Sequence, residues 1–364
     1  MLVVLCSLGC ARRPEPARSQ ATAYSNVGMQ RREFVDPARR SWDGKGPRPV
    51  NTLIWYPATP DAAPEPLDIG PPDAPLFRAG KAAPGAEPAP GRHPLVVLSH
   101  GTGGSAAQMM WLGQSLAARG YVVAAINHHG NSGAEPPVTP QGMMLVWERA
   151  RDVSVAIDQV LADPRIGPHV DASKIGAAGF SLGGYTVVAT LGGRTSLPLF
   201  HAFCHSPRRD ATCDDQPEFP GARAKLEAMM DDPGVQASIG RAGNDYRDAR
   251  IRAAVLIGPA LANIFTAESL RAIDVPVLVI GGDADAVAPI ATNAARYAEM
   301  IRGATLVEVH SAHYTFLGEC GPAGPKPLCT DPPGVDRKAV HADAAARAGD
   351  FFNRVLQSER AVQQ

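Results

Sequence analysis

The chain has 364 residues, enough for one large α/β domain or two small ones. Its 45% hydrophobic content can fill a large core, and 35 basic against 36 acidic residues leave no charge excess to draw nucleic acid or an anionic membrane surface. No apolar run reaches the roughly 18–20 residues that span a bilayer, and 36 glycines with 34 prolines point to many loops.

Residues 1–9 are almost wholly apolar or small, and Cys10-Ala11-Arg12-Arg13-Pro14 then turns polar. This is the pattern at the end of a bacterial export signal, with a small residue before a cysteine as in lipoprotein signals. Residues 1–22 are therefore expected to be a signal or lipoprotein-like segment, with Cys10 a candidate for lipid attachment and a membrane tether. The lack of a basic start, and Ser7 where such signals usually carry Leu, depart from that pattern. Residues 23–364 read as one domain.

Residues 20–26 form a polar linker. Residues 27–36 and 50–56 are β-rich runs around the turn-rich Asp43-Gly44-Lys45-Gly46-Pro47, a hairpin or two edge strands. Residues 57–94 hold eleven prolines with little periodicity and read as a surface insertion. Leu95-Val96-Val97-Leu98 is a buried parallel strand that ends in Ser99-His100-Gly101-Thr102-Gly103-Gly104-Ser105. A glycine-rich turn at a strand's C-terminal end lies where α/β sheets place their ligands. A helix over 106–119 follows, then a strand over 121–126 that ends in Asn127-His128-His129-Gly130-Asn131, and a long helix over 143–161. A strand over 175–180 leads into Gly179-Phe180-Ser181-Leu182-Gly183 and a small-residue helix.

Residues 195–250 break the strand–helix rhythm and read as a cap or lid. Strands over 252–257, 276–280 and 305–309, a helix over 290–301 and a last helix over 340–356 complete the chain. The alternation indicates one doubly wound, mostly parallel sheet with a cap insertion. Beyond the signal's Cys6 and Cys10, Cys204, Cys213, Cys320 and Cys329 allow three connectivities. Local pairing, Cys204 with Cys213 and Cys320 with Cys329, is preferred and fits an oxidising periplasmic or extracellular compartment. Zinc binding by Cys204, His205 and Cys213 lacks the paired-cysteine spacing of structural zinc sites, and no metal or organic cofactor is expected.

Gly179, Ser181 and Gly183 match G-x-S-x-G, the nucleophile elbow of α/β-hydrolases. A serine hydroxyl is a weak nucleophile; it needs a base, and the base needs an orienting carboxylate. The chain order in such folds is Ser, acid, His. Gly281-Gly282-Asp283-Ala284-Asp285-Ala286-Val287-Ala288-Pro289 offers two acids. Asp285 is preferred, and Asp283 suits a turn carboxylate. Val309-His310-Ser311-Ala312-His313 offers two bases. His313, in the loop beyond the strand, is preferred, and His310 is assigned to the surface. The oxyanion donors are expected to be the N–H groups of Leu182 and Thr102. His100 reads as a structural hydrogen-bonder, His128 and His129 as candidate pocket residues, and Trp111 and Trp147 as pocket walls or core.

Ser99-His100-Gly101-Thr102-Gly103-Gly104, Gly179-Phe180-Ser181-Leu182-Gly183-Gly184, Asp283 to Pro289 and Ala312-His313-Tyr314-Thr315-Phe316-Leu317 together resemble the dienelactone-hydrolase-like branch of α/β-hydrolases, which includes platelet-activating-factor acetylhydrolase-like proteins. Cys329-Thr330-Asp331-Pro332 and Asp336-Arg337 look like the C-terminal loop of its secreted bacterial members, and the resemblance covers about residues 25–358. It implies the α/β-hydrolase fold and a serine ester hydrolase acting on a small-molecule or lipid-like ester. Dienelactone hydrolase proper has a cysteine nucleophile where this chain has Ser181, which argues against that lactone activity. Some acetylhydrolase relatives place the acid one strand earlier; Gly258-Pro259-Ala260 has no carboxylate there, which favours Asp285. The other readings are a peptidase or amidase of the same fold and a catalytically idle binding protein.

Overall fold

The computed structural model describes residues 24–216 and 218–357. The signal segment and Cys10 lie outside the described residues. Eleven strands form one sheet: β1 (Val27–Arg40), β2 (Pro47–Pro57), β3 (Glu65–Ile69), β4 (Phe77–Pro84), β5 (His93–Ser99), β6 (Val122–Ile126), β7 (Val170–Phe180), β8 (Ile251–Ile257), β9 (Val277–Gly282), β10 (Thr305–Val309) and β11 (Glu319–Cys320). Their order is β10-β9-β8-β7-β5-β6-β2-β1-β4-β11, with β3 on β4. The run from β6 to β10 is parallel throughout. The β1–β2 hairpin joins it antiparallel through β2.

Strand sequence explains the two-sided core. Successive side chains of a strand point to opposite faces. Leu95 and Val97 of β5 enter one apolar cluster with Val153, Val187 and Tyr297, from the helices Glu148–Ala162, Leu182–Thr190 and Ala294–Met300. Val96 and Leu98 enter the other with Leu112, Leu116 and Phe352, from Met110–Ala118 and Arg337–Leu356. A strand covered on both faces has no polar side to show, so it reads as an unbroken apolar run.

Three departures from the sequence reading have physical reasons. Residues 57–94 are not only a surface insertion: they supply β3 and β4, and β4 pairs with β1 and β11. Pro66 is tolerated because β3 is an edge strand bonded only to β4. The helix expected over 143–161 is two helices, Pro140–Met144 and Glu148–Ala162, because Leu145 leaves helical geometry at φ −88° and ψ 58°. The last helix starts three residues early, at Arg337, because the Asp336 carboxylate accepts from the Lys338 and Ala339 N–H groups.

Residues 195–250 leave the sheet between β7 and β8 as short helices, Leu197–Cys204, Ala222–Glu227 and Pro233–Ile239. Disulfides join Cys204 to Cys213 and Cys320 to Cys329, the pairing preferred from sequence. The first leaves neither thiolate free for zinc.

A buried ionic cluster anchors the hairpin to the parallel sheet. Asp152 accepts from Arg39 at 2.5 Å and Arg48 at 2.8 Å, and its second oxygen lies 3.0 Å from His128 Nδ1. Burial pushes this carboxyl's pKa up, but Arg48 and Arg39 outweigh it and hold it well below the usual range. His128 Nε2 lies 2.9 Å from Ser99 Oγ, at the end of β5. Removing one partner of such a cluster strands the others as buried, uncompensated charges. Asp152→Ala is expected to cost about 3–5 kcal/mol of folding stability, read as a lowered urea midpoint with an unchanged slope; a loss under about 1 kcal/mol would contradict this account of the cluster.

Candidate active site

Ser181 sits at φ 54° and ψ −119°, one of two non-glycine residues with positive φ among those described. It directly follows β7 and stands at the N-cap of the helix Leu182–Thr190. The flanking glycines allow the turn. A Cβ at position 179 would lie 2.1 Å from the Gly183 carbonyl oxygen, and one at 183 would lie 1.9 Å from the Ser99 oxygen. Neither position can carry a side chain without moving backbone.

The three candidate catalytic side chains meet. His313 Nε2 lies 2.8 Å from Ser181 Oγ, and its Nδ1 lies 2.6 Å from Asp285 Oδ2. Asp285 Oδ1 accepts from the Val287 N–H at 2.9 Å and the Ala288 N–H at 2.7 Å, which fixes the carboxylate's orientation. All three residues are buried, and Phe180 packs against the imidazole. The two rejected candidates find each other: His310 Nδ1 lies 3.0 Å from Asp283, an exposed pair away from the serine.

The β5 turn is held from below. Arg149 donates to the His100 carbonyl oxygen and to Ser99 Oγ, and Asn131 accepts from the Gly103 N–H at 2.9 Å. Burial pushes the Arg149 guanidinium down to about 9. Among the described residues neither the Thr102 nor the Leu182 N–H has a hydrogen-bond acceptor. Both residues line the cavity beside Ser181, where a developing oxyanion would take such donors.

Two cavities meet at Ser181. The larger, about 290 Å³, is walled by Met143, Trp147 and Ile264 below and by the cap residues Leu197 and Phe200 above. The smaller, about 70 Å³, is lined by His313, Tyr314, Gln108 and the cap residue Glu218. Trp147 is thus a wall of the larger cavity. Trp111 lines neither; it donates to the Phe316 carbonyl at 3.0 Å and stacks on His341. His128 and His129, candidate pocket residues from the sequence, line neither cavity: His128 Nδ1 lies 3.0 Å from Asp152, and His129 Nε2 accepts from the Trp42 N–H at 3.0 Å. His100 is a hydrogen-bonder as expected, with Nδ1 2.6 Å from the Gly101 oxygen.

Sequence reasoning missed Glu218, Arg149 and Asp152. Glu218 belongs to no regular element. Arg149 and Asp152 begin a helix with the pattern Glu-Arg-Ala-Arg-Asp, which reads as a solvated face.

Residues 96–320, more than half the chain and all the candidate catalytic residues, match the model of the alpha/beta hydrolase family. The chain belongs to this family. No curated protein matches it. The hydrolase fold is also that of a ferulic acid esterase from Streptomyces cinnamoneus, at a TM-score of 0.62 and 22% identity over 94% of this chain and 96% of that one.

Burial disfavours the charged form of several histidines of this hydrolase and keeps them neutral in the fold: His128 is pushed down to about 3, and His129 and His341 to about 4. On unfolding, each takes up a proton below its ordinary value near 6.5. Stability is therefore expected to fall as pH drops from about 6.5 towards 4, by up to about 1.4 kcal/mol per pH unit for each. Urea midpoints across that range check this. His341→Gln should flatten the slope by about one proton's worth; an unchanged slope would rule His341 out as a contributor.

Proposed function

We propose that the protein is a serine ester hydrolase of the dienelactone-hydrolase-like branch, acting through Ser181, His313 and Asp285. One observation carries this reading: the His313 ring bridges Ser181 Oγ and Asp285 Oδ2 at 2.8 and 2.6 Å, beside a cavity with apolar walls. Its similarity in fold to a ferulic acid esterase accords with ester chemistry.

In the first half-reaction Ser181 Oγ attacks the ester carbonyl carbon while His313 Nε2 takes the hydroxyl proton. Asp285 accepts from Nδ1–H, holding that tautomer and stabilising the imidazolium. The Thr102 and Leu182 N–H groups donate to the tetrahedral oxyanion. The C–O bond to the alcohol then breaks, and His313 returns the proton to the leaving oxygen. In the second half water attacks the acyl-serine, losing its proton to His313, and the acid departs as Oγ is reprotonated. The cycle consumes the ester and one water.

The two disulfides accord with an exported protein, since such bonds persist in oxidising compartments. We place it in the periplasm or outside the cell, with lipidated Cys10 as a membrane tether.

A fluorophosphonate probe should label the wild type at Ser181 and leave Ser181→Ala unlabelled and inactive towards ethyl esters in a pH-stat assay; full activity in that variant would end the proposal. Asp285→Asn is expected to lower kcat by about four orders of magnitude through the wrong tautomer. Asp283→Asn should stay within about threefold of wild type, since changes to exposed groups away from the chemistry matter little. An inverted result would move the acid to Asp283.

A further inference from the structure

The two cavities at Ser181 differ in a way that assigns the halves of the substrate, taking the ester-hydrolase reading above as given. The departing alkoxide oxygen must come within hydrogen-bond reach of His313 Nε2, which gives it a proton. His313 lines the 70 Å³ cavity and not the 290 Å³ one. The alcohol therefore leaves through the smaller cavity, and the acyl group occupies the larger. At about 290 Å³ the acyl side has nearly twice the ~150 Å³ that suffices for a benzene ring.

The alcohol side is small, and Glu218 is among the residues that line it. Glu218 Oε2 is buried and has no hydrogen-bond partner among the described residues. Its other oxygen accepts only a long bond, from the Tyr314 hydroxyl at 3.4 Å. Gly103 fixes the base of this side chain: a Cβ there would lie 2.7 Å from the Glu218 Cβ, so the cap rests directly on the β5 turn. An unmet buried carboxyl oxygen costs free energy until a donor reaches it. A leaving group with a hydroxyl of its own supplies that donor; an alkyl alcohol of the same size does not.

We propose that the natural substrate is an ester of an apolar acid with a small polyhydric alcohol, and that Glu218 is the specificity-determining residue that accepts from the alcohol's second hydroxyl.

The test compares 2-hydroxyethyl hexanoate with propyl hexanoate, which differ by one terminal group, on wild type, Glu218→Gln and Glu218→Leu. Wild type should prefer the hydroxylated ester by about tenfold or more in kcat/KM, as expected when a buried polar group is left unpaired by the alternative. Glu218→Gln keeps an acceptor and part of the preference. Glu218→Leu loses the preference: its kcat/KM for the hydroxyethyl ester falls about tenfold relative to that for the propyl ester, a split that a merely structural role, lowering both alike, would not produce. Hexyl acetate, with its bulk on the alcohol side, should be at least about tenfold slower than ethyl hexanoate. Equal wild-type rates on the hydroxyethyl and propyl esters, a parallel fall of both in Glu218→Leu, or faster turnover of hexyl acetate would each overturn the proposal. Absence of both turnover and labelling would instead overturn the hydrolase reading, and this proposal with it.

Discussion

Everything at this site depends on three backbone segments meeting with no side chain between them. The end of β7, the first turn of Leu182–Thr190 and the turn after β5 approach so closely that a Cβ at 179 or 183 would overlap a carbonyl oxygen. That approach forces Ser181 into positive φ, a conformation that costs of order 1–3 kcal/mol and persists only where surrounding structure over-determines it. The same approach leaves the Leu182 and Thr102 N–H groups without acceptors among the described residues, beside Ser181. The candidate nucleophile and the candidate oxyanion donors are thus two results of one packing event.

The surroundings that over-determine the elbow include an ionic cluster. Asp152 joins Arg39 and Arg48 of the hairpin to His128, and His128 meets Ser99 at the root of the β5 turn. Glu148, one turn earlier on the same helix, accepts from Arg39 and from Ser238 and Arg241 of the cap. A buried ionic cluster of this kind is weak evidence for stability, because well-packed apolar residues often serve as well. Its geometric role is clearer. One charged helix start ties the antiparallel edge, the turn of the candidate oxyanion donors and the cap to a common frame.

How much of this was legible in the sequence follows from range. The elbow could be read because its constraint is local: two glycines two residues either side of the serine, an apolar run before and small residues after. Asp285 could be chosen over Asp283 from its place four residues before Pro289, and His313 over His310 from its place in the loop beyond the strand. The structure turns that choice into two separate pairs, one buried at the serine and one exposed. The cluster around Asp152 was not legible. Burial of a charge depends on partners more than a hundred residues away, and Arg39 and Arg48 stand in a stretch that reads as a polar turn. The strands in residues 57–94 were hidden for a similar reason: edge strands pair through backbone and tolerate proline, so side-chain periodicity says little about them.

The cap was legible as an interruption but not as a wall. Its helices are short; what fixes them is contact with the rest of the chain and the Cys204–Cys213 bond, which closes a loop of nine residues' separation. Closing so short a loop removes on the order of 2–3 kcal/mol of unfolded-chain entropy by the chain-entropy account. A further tie joins the cap to the start of the helix Ala294–Met300, from Asn293 and Thr292 to Asp210. The sheet therefore presents the candidate catalytic groups, and the cap, tied down at several places, supplies the far walls of both cavities. The candidate catalytic groups and the cap walls thus sit on different parts of the chain, so cap sequence can vary without disturbing the close backbone approach at Ser181.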